Sequence, residues 1–237
     1  MNSINEGSFR EKLGRAKYLL TTISDFKNYS PTRPEDQIEG MTVFINELSA
    51  VNARVATLKD SQKSLTDDRK EAFLGKGESL QNLIIQIKAA VESQYGRKTS
   101  EATMINRSIA LMRDAKPKKA VPEAANETEE TRSNKVEKSY GSMAEVLNDI
   151  ISSLSNYPDY ATSNEKVKIE ALRETSAKLD NFNARVTKIK LETNTAQDER
   201  VKMYEELNTR AQRIKTYVKG QYGVNSREYI SIKSLRF

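Results

Sequence analysis

The residues that could bind an anion are concentrated around two segments that share the sequence Gln-Tyr-Gly. From residue 210 to the last residue given there are seven basic residues and a single acid, Glu228. The segment after the first Gln-Tyr-Gly holds a similar group of bases. Clusters of lysine and arginine bind phosphate oxygens, so these side chains form a candidate nucleic-acid or anion site. Bases near helix ends are also favoured by the helix dipole and keep a helical bundle soluble, and this structural interpretation is favoured. Its members are Arg210, Arg213, Lys215, Lys219, Arg227, Lys233, Arg236, Arg97 and Lys98.

Few residue types in this chain could act in catalysis, because it contains neither histidine nor cysteine. Without histidine, a proton shuttle must use carboxylates, lysine or tyrosine, and a ferritin-like di-iron site lacks its Glu-x-x-His ligands. Without cysteine, thiol catalysis, disulfides and thiolate metal sites are excluded. The acidic pairs at residues 198–199 and 205–206 fall at predicted helix starts or on exposed faces. The sequence therefore predicts a non-enzymatic protein with no catalytic residue, no metal and no cofactor.

A second candidate polar site is the sequence Asn-Ala-Arg-Val, which occurs at residues 52–55 and again at 183–186. Each copy places an arginine, Arg54 or Arg185, in the middle of a predicted helix. The guanidinium could hold an anion of a ligand or partner, or it could pair with a carboxylate of a neighbouring helix. The second interpretation is favoured, because arginine stems commonly pack along helices while the charged end finds an acid.

The repeated tetrapeptide belongs to a longer series of matches between the two halves of the chain. Residues 9–113 align with residues 138–237, at an offset of 131 through the middle and 127 from Leu80 onward. The Asn-Tyr dipeptides at 28–29 and 156–157 align at an offset of 128. Collinear matches of this kind indicate an internal duplication. The first copy has about four extra residues near Gly75 and Gly77, which predict a kink or a local helix break.

Apolar residues recur every three to four positions in both copies, which predicts amphipathic helices rather than strands. Ser64 and Thr195 are candidate helix caps, each followed three residues later by an aspartate, so helix breaks and antiparallel hairpins are predicted there. Each Gln-Tyr-Gly is predicted to end a helix at its glycine, with Thr99 or Ser226 capping the next helix. The predicted helices cover residues 9–28, 35–62, 65–95, 99–113, 138–156, 164–193, 195–222 and 226–236.

The predicted fold is all-α, a tandem duplication of an antiparallel up-and-down helical bundle with about four helices per repeat. Repeat 1 covers residues 1–113 and repeat 2 covers residues 138–237. Residues 114–137 are predicted to be a flexible charged linker, because they contain two prolines, many charges and few apolar side chains. The alternative is a single domain in which the hairpins of both copies pack together.

The sequence also limits where the protein acts. No segment approaches the roughly 18 apolar residues that span a bilayer, and the polar start does not resemble a signal peptide, so we expect a cytoplasmic protein without a membrane partner. The leading hypothesis is a protein–protein interaction or scaffold module that binds another protein along a helical groove. The alternative is a nucleic-acid-associated protein that binds phosphates through the basic C-terminal helices of each repeat. Neither hypothesis assigns an oligomeric state.

Overall fold

The chain is helical along most of its length. The computed structural model describes residues 6–115 and 129–237, with side chains for residues 8–113 and 139–237. Within these residues there are seven α-helices, two short 3-10 turns and no strand, which confirms the all-α prediction. The 3-10 turns are Pro34–Asp36 and Glu165–Val167. The helices are α1 (Glu6–Ser24), α2 (Ile38–Leu74), α3 (Leu80–Tyr95), α4 (Ser100–Ala115), α5 (Glu129–Ser155), α6 (Ile169–Tyr222) and α7 (Arg227–Ile232).

Two predicted helix breaks are absent, so the predicted hairpins are wrong. α2 continues through Ser64, and α6 continues through Thr195 as one helix of 54 residues. The hydroxyl of Thr195 donates to the carbonyl of Leu191, four residues earlier, at 3.0 Å. A threonine that bonds back in this way is accommodated inside a helix and need not cap one. The break predicted at the two glycines is present, between Leu74 and Leu80.

Helix also covers part of the predicted linker. α4 includes residues 114–115, and α5 includes residues 129–137. These segments contain few apolar residues, but lysine, glutamate, arginine and alanine all have high helix propensity. The rest of the predicted linker, residues 116–128, lies outside the described residues.

The contacts divide the chain into two units that differ from the predicted repeats. Unit 1 consists of Met1–Asp60 and Leu191–Phe237, and unit 2 is Ser61–Lys190. Each unit therefore combines the N-terminal part of one repeat with the C-terminal part of the other. The physical reason is the continuity of α2 and α6: neither helix turns back at its middle, so the two halves of each helix belong to different units.

Each unit has its own hydrophobic core. Many of the apolar residues that recur every three to four positions lie in these cores, so the helices bury one face each. The most deeply buried members include Leu19, Met41, Leu48, Leu207 and Ile214 in unit 1, and Phe73, Ile87, Ile105, Met143 and Leu147 in unit 2.

The loop before each 3-10 turn has the same conformation in both units. Tyr29 and Tyr160 each donate a hydroxyl hydrogen bond to the last carbonyl of the following 3-10 turn, at 2.7 and 3.0 Å. The residues before these tyrosines, Asn28 and Asp159, have φ angles of 61° and 56°. Tyr29 is thus equivalent to Tyr160, at an offset of 131, and the alignment of the two Asn-Tyr dipeptides at 128 is corrected.

Both Gln-Tyr-Gly sequences end a helix, as predicted. Gly96 and Gly223 follow the last residues of α3 and α6, and each has a φ of 97°, which favours glycine. The hydroxyls of Thr99 and Ser226 accept hydrogen bonds from the backbone N–H groups three residues later, at 3.3 and 3.1 Å. The cap residues predicted for α4 and α7 are therefore confirmed.

The tyrosine before each of these glycines joins segments from different repeats. In unit 1, the hydroxyl of Tyr222 donates to the carbonyl of Lys27 at 2.8 Å. In unit 2, Tyr95 donates to the carbonyl of Pro158 at 2.7 Å. Lys27 and Pro158 differ by 131 in number, and the two tyrosines differ by 127. Both units therefore contain the same tyrosine hydrogen bond. Its donors and acceptors are related by 127 and 131, which are the offsets of the sequence matches.

Several tyrosine hydroxyls have raised pKa values, so we expect the protein to lose stability at alkaline pH. Burial, followed by the charge of Asp36, raises the pKa of Tyr29, and burial also raises the pKa values of Tyr157 and Tyr160. A raised pKa means that the fold favours the protonated hydroxyl. The stability that the protonated hydroxyls contribute to the fold is fully present below the unfolded pKa of about 10, and it is lost as the pH rises above that value.

We therefore expect the free energy of unfolding, measured by urea denaturation, to fall between pH 10 and 12. The substitution Tyr29→Phe should make this fall less steep. Tyrosine absorbance at 295 nm provides the second measurement, because part of the ten-tyrosine signal should titrate above pH 10 only after unfolding. A single titration near pH 10 in the folded protein would contradict the prediction.

Candidate functional site

Two of the nine basic candidates are held in internal contacts of unit 1. Arg213 donates two hydrogen bonds to the carboxylate of Asp36, at 2.7 and 2.8 Å, and the Asp36 side chain is only 4% exposed. Arg210 lies over the ring of Phe44, 4.1 Å from its centroid, and donates to the carboxylate of Glu206 at 2.8 Å. These arginines stabilise the fold of unit 1 and have little capacity left for a phosphate.

The remaining candidates differ in exposure. Lys215 donates to the carbonyl of Leu235, and burial, with a smaller effect of Arg236, lowers the pKa of this lysine. Exposed bases in the C-terminal part of unit 1 are Lys219, Arg227, Lys233 and Arg236, and those in the turn after α3 of unit 2 are Arg97 and Lys98. The predicted cluster thus separates into three structural side chains and six exposed ones, and the six are divided between the two units.

The arginines of the two Asn-Ala-Arg-Val sequences lie on the protein surface. Arg54 pairs with Glu199 of α6 at 3.0 Å, with the side chains 55% and 47% exposed. This confirms for Arg54 the predicted pairing with a neighbouring carboxylate. Arg185 is exposed. The asparagine of the first copy, Asn52, donates to the hydroxyl of Tyr204 at 2.8 Å. The repeated tetrapeptide therefore serves packing and surface pairing.

A cleft of about 620 Å³ lies in unit 2 between α3 and the first part of α6. Cavities of this size are typical of sites that bind ligands or side chains of a partner. Part of its lining is apolar, and the small side chains of Ala72 and Ala171 leave room for an incoming group. The apolar lining residues are Ala72, Leu80, Leu83, Ala171, Leu179 and Phe182.

A second cleft of about 350 Å³ continues along α3. It is lined by small residues of α3, including Ala90, and by the loop that contains Ala161 and Asn164. Gln86 lines both clefts and accepts a hydrogen bond from the Asn164 side chain at 3.0 Å. We refer to the two clefts together as the α3 groove.

One end of the α3 groove is formed by the helix break at residues 75–79. The side-chain amide of Asn82 donates to the carbonyls of Lys76 and Gly77, at 2.9 and 2.7 Å. Ser79 caps α3 by accepting from the backbone of Asn82 and donates to the carbonyl of Gly75 at 2.8 Å. These bonds fix the loop that the extra residues of the first copy create. At the equivalent positions of unit 1, α6 continues without such a break. This wall is therefore a feature of unit 2.

The rim of the 620 Å³ cleft carries charges of both signs. Glu78 accepts a hydrogen bond from Lys166, which is the main reason that the pKa of Glu78 is lowered, and Lys178 adds a weaker effect. Glu174 lies on the same rim. An apolar floor with a mixed polar rim resembles the arrangement of protein–protein interfaces, in which a dry centre is surrounded by solvated polar groups.

Larger side chains occupy several of the positions of unit 1 that are equivalent to the groove. The offsets of 131 and 127 are supported by the repeated tyrosine and glycine geometry, and they identify these positions. Other exchanges go the opposite way. Phe182, Ala171 and Ser93 correspond to the smaller Val51, Gly40 and Gly220, and the rim residues Lys166 and Lys178 correspond to the smaller Glu35 and Glu47. The groove residues that correspond to larger ones include Thr175 (Phe44), Leu83 (Arg210), Ala72 (Met203), Gln86 (Arg213) and Ala90 (Tyr217).

A helical groove was expected from the sequence, but its place and its lining residues were not predicted. Identical residues align the two copies, whereas the groove arises from positions at which the copies differ in size. The pair Thr175 and Phe44 was a detectable signal, since both lie in the part aligned at 131. Its meaning required the structure, because Phe44 and Arg210 come from different repeats and the prediction packed each repeat on itself.

The described residues show neither a group of three or more acidic side chains placed to hold a metal ion nor a helix with an apolar stretch suited to crossing a membrane. Comparison with protein-family models, curated proteins and solved structures finds no match to this chain.

Proposed function

We propose that this protein is a non-enzymatic protein–protein interaction module that binds its partner in the α3 groove. The observation that carries the proposal is the difference between equivalent positions: unit 1 fills them with its own Phe44, Arg210 and Tyr217, whereas unit 2 leaves a groove. Small residues at these positions forgo the buried contacts that Phe44 and Arg210 make in unit 1, and burial of apolar side chains is a main source of stability. A binding role explains why unit 2 keeps them.

We also infer that the chain is a tandem duplication of one helical module and that it acts in the cytoplasm. The support for duplication is the recurrence of loop, cap and tyrosine geometry at the offsets of the sequence matches. The absence of cysteine supports a compartment in which disulfides are not used. In this proposal, unit 1 is the structural unit and unit 2 is the binding unit.

Site-specific photo-cross-linking tests the binding role. p-Benzoylphenylalanine is introduced at Gln86, in the groove, or at Thr187, an exposed position of unit 2 outside it. The protein is expressed in cells of the source organism and irradiated. We expect a discrete cross-linked protein from position 86 that is absent from position 187. Identical products from both positions, or none from position 86, would contradict the proposal.

Nucleic-acid binding is the second candidate, and the exposed bases Lys219, Arg227, Lys233 and Arg236 favour it. Four phosphate contacts would give a plot of log K against log salt concentration with a slope of about −3.6. Lys219→Gln with Lys233→Gln should reduce that slope to about −1.8. Lys63→Gln with Lys70→Gln, which removes two exposed charges of α2, is the matched control. Absence of binding to mixed-sequence DNA at low salt would eliminate this candidate.

A further inference from the structure

The side chains at the equivalent positions of unit 1 indicate which groups fit the α3 groove. Phe44 is 5% exposed and lies under the guanidinium of Arg210. Tyr217 packs edge-on against Tyr29, with centroids 5.4 Å apart, and its hydroxyl accepts a hydrogen bond from the backbone of Ser30 at 3.1 Å. In unit 2 the two rings are replaced by Thr175 and Ala90. The groove is therefore missing two aromatic side chains at defined places.

The spacing of these places follows from the helix that lines the groove. The first ring of unit 1 lies against Arg210 and the second ring belongs to Tyr217, and the corresponding residues of α3 are Leu83 and Ala90. Seven residues of α-helix rise about 10.5 Å. Two side chains seven residues apart on another helix have the same rise along its axis and lie on one face, so they match the two places along α3.

We propose that the partner is an amphipathic helix of another protein that inserts two aromatic side chains, two helical turns apart, into the α3 groove. This inference rests on the proposed function of the groove. The two rings replace the side chains that unit 1 supplies from its own chain. Aromatic side chains in such pockets commonly dominate the binding energy of an interface.

A helical partner fits the groove better than an extended one. An extended peptide gains much of its affinity from hydrogen bonds to the edge of a sheet, and the described residues contain no strand. The loop backbone beside the groove is already paired, since Gln94 accepts from the N–H of Ala161 and donates to the carbonyl of Asp159. A helix satisfies its own backbone groups and presents only side chains.

The rim determines the polar character of the partner. Glu78 and Glu174 lie on it together with Lys166 and Lys178. A helix with both acids and bases beside its aromatic residues pairs with this rim, whereas a helix of a single charge sign meets like charges on it. We therefore expect a partner of mixed charge.

The probe for this inference is a phage library of 18-residue helices with Phe, Tyr or Trp at positions 6 and 13 and random residues elsewhere. A parallel library carries alanine at both positions. Both are panned against the full-length protein. We expect enrichment only from the aromatic library, and the selected peptides should bind at least about thirtyfold more weakly when both aromatic residues are replaced by alanine.

A variant that carries the aromatic side chains of unit 1 at the equivalent positions of unit 2 tests whether the peptides bind in the α3 groove. Thr175→Phe with Ala90→Tyr fills the groove, and it should weaken the selected peptides at least about thirtyfold. The matched control is Thr187→Phe with Ala110→Tyr, which adds the same side chains at exposed positions of unit 2 and should leave binding unchanged. Circular dichroism and urea denaturation verify that both variants are folded.

The possible outcomes separate this inference from the proposed function. Enrichment from the alanine library, failure of the aromatic library, or equal affinity for the filled and unfilled protein would overturn the aromatic-helix inference. If a partner is still cross-linked from Gln86 in those cases, the proposed function stands and only the chemistry of the partner is wrong. If position 86 also yields no partner, both proposals are rejected.

Discussion

Replacing Arg213 by alanine is expected to lower the free energy of unfolding by about 3 kcal/mol. The change removes both hydrogen bonds to the carboxylate of Asp36, which is 4% exposed and would be left without its cationic partner. Glu35 and Glu206 also lie within 4 Å of Arg213, at 3.8 and 3.7 Å, so three acids would lose one shared cation. The exposed part of the arginine keeps the expected cost at the lower end of the range for buried pairs.

Urea denaturation followed by circular dichroism measures this loss, and hydrogen exchange of residues 34–44 localises it. Arg54→Ala is the control, because its pair with Glu199 is about half exposed and should contribute less than about 1 kcal/mol. Equal losses for the two variants would mean that burial of Asp36 does not determine the cost.

Unit 2 suggests a rescue for the Arg213 variant. The residues equivalent to Asp36 and Arg213 are Val167 and Gln86, so unit 2 folds without this ion pair. Asp36→Val combined with Arg213→Gln should therefore recover most of the stability that Arg213→Ala loses, because the unpaired carboxylate is gone. A double variant as unstable as the single one would show that the surroundings of Asp36 cannot accept an apolar residue.

Gly40→Ala is expected to lower the free energy of unfolding by about 3 kcal/mol, close to the upper end for overpacking. A Cβ atom at Gly40 would lie 2.2 Å from the carbonyl oxygen of Pro34 and 2.8 Å from the Cα atom of Glu35. Both atoms belong to backbone, so relief requires the whole 3-10 turn to move away from α2. That movement would also disturb the hydrogen bond from Tyr29 to the end of the turn.

The control is Gly77→Ala, since a Cβ at Gly77 meets no atom within 4 Å. Its stability should change by less than about 0.5 kcal/mol, as for most substitutions away from packed features. Urea denaturation of the two variants under the same conditions is the measurement. A neutral effect of Gly40→Ala would indicate that the 3-10 turn of unit 1 moves freely, and it would remove the packing argument for this glycine.

Much of the local structure was determined by the sequence itself. The apolar spacing predicted helices, and the Gln-Tyr-Gly turns occur with positive φ at Gly96 and Gly223. The caps Thr99 and Ser226 act as predicted. These features depend on a few neighbouring residues, because a glycine that needs positive φ or a hydroxyl that caps a helix acts within one turn.

The tertiary structure decided where long helices continue and which segments pack together. Ser64 and Thr195 have the side chains of helix caps, but a cap acts only where the chain turns, and α2 and α6 continue as helices through these positions. The two repeats have similar apolar faces. A segment of one repeat can therefore pack on its own repeat or on the other one with nearly the same contacts, and the sequence does not distinguish the two arrangements. The continuity of the two helices selects pairing between repeats, and only in that arrangement do Thr175 and Ala90 border the α3 groove.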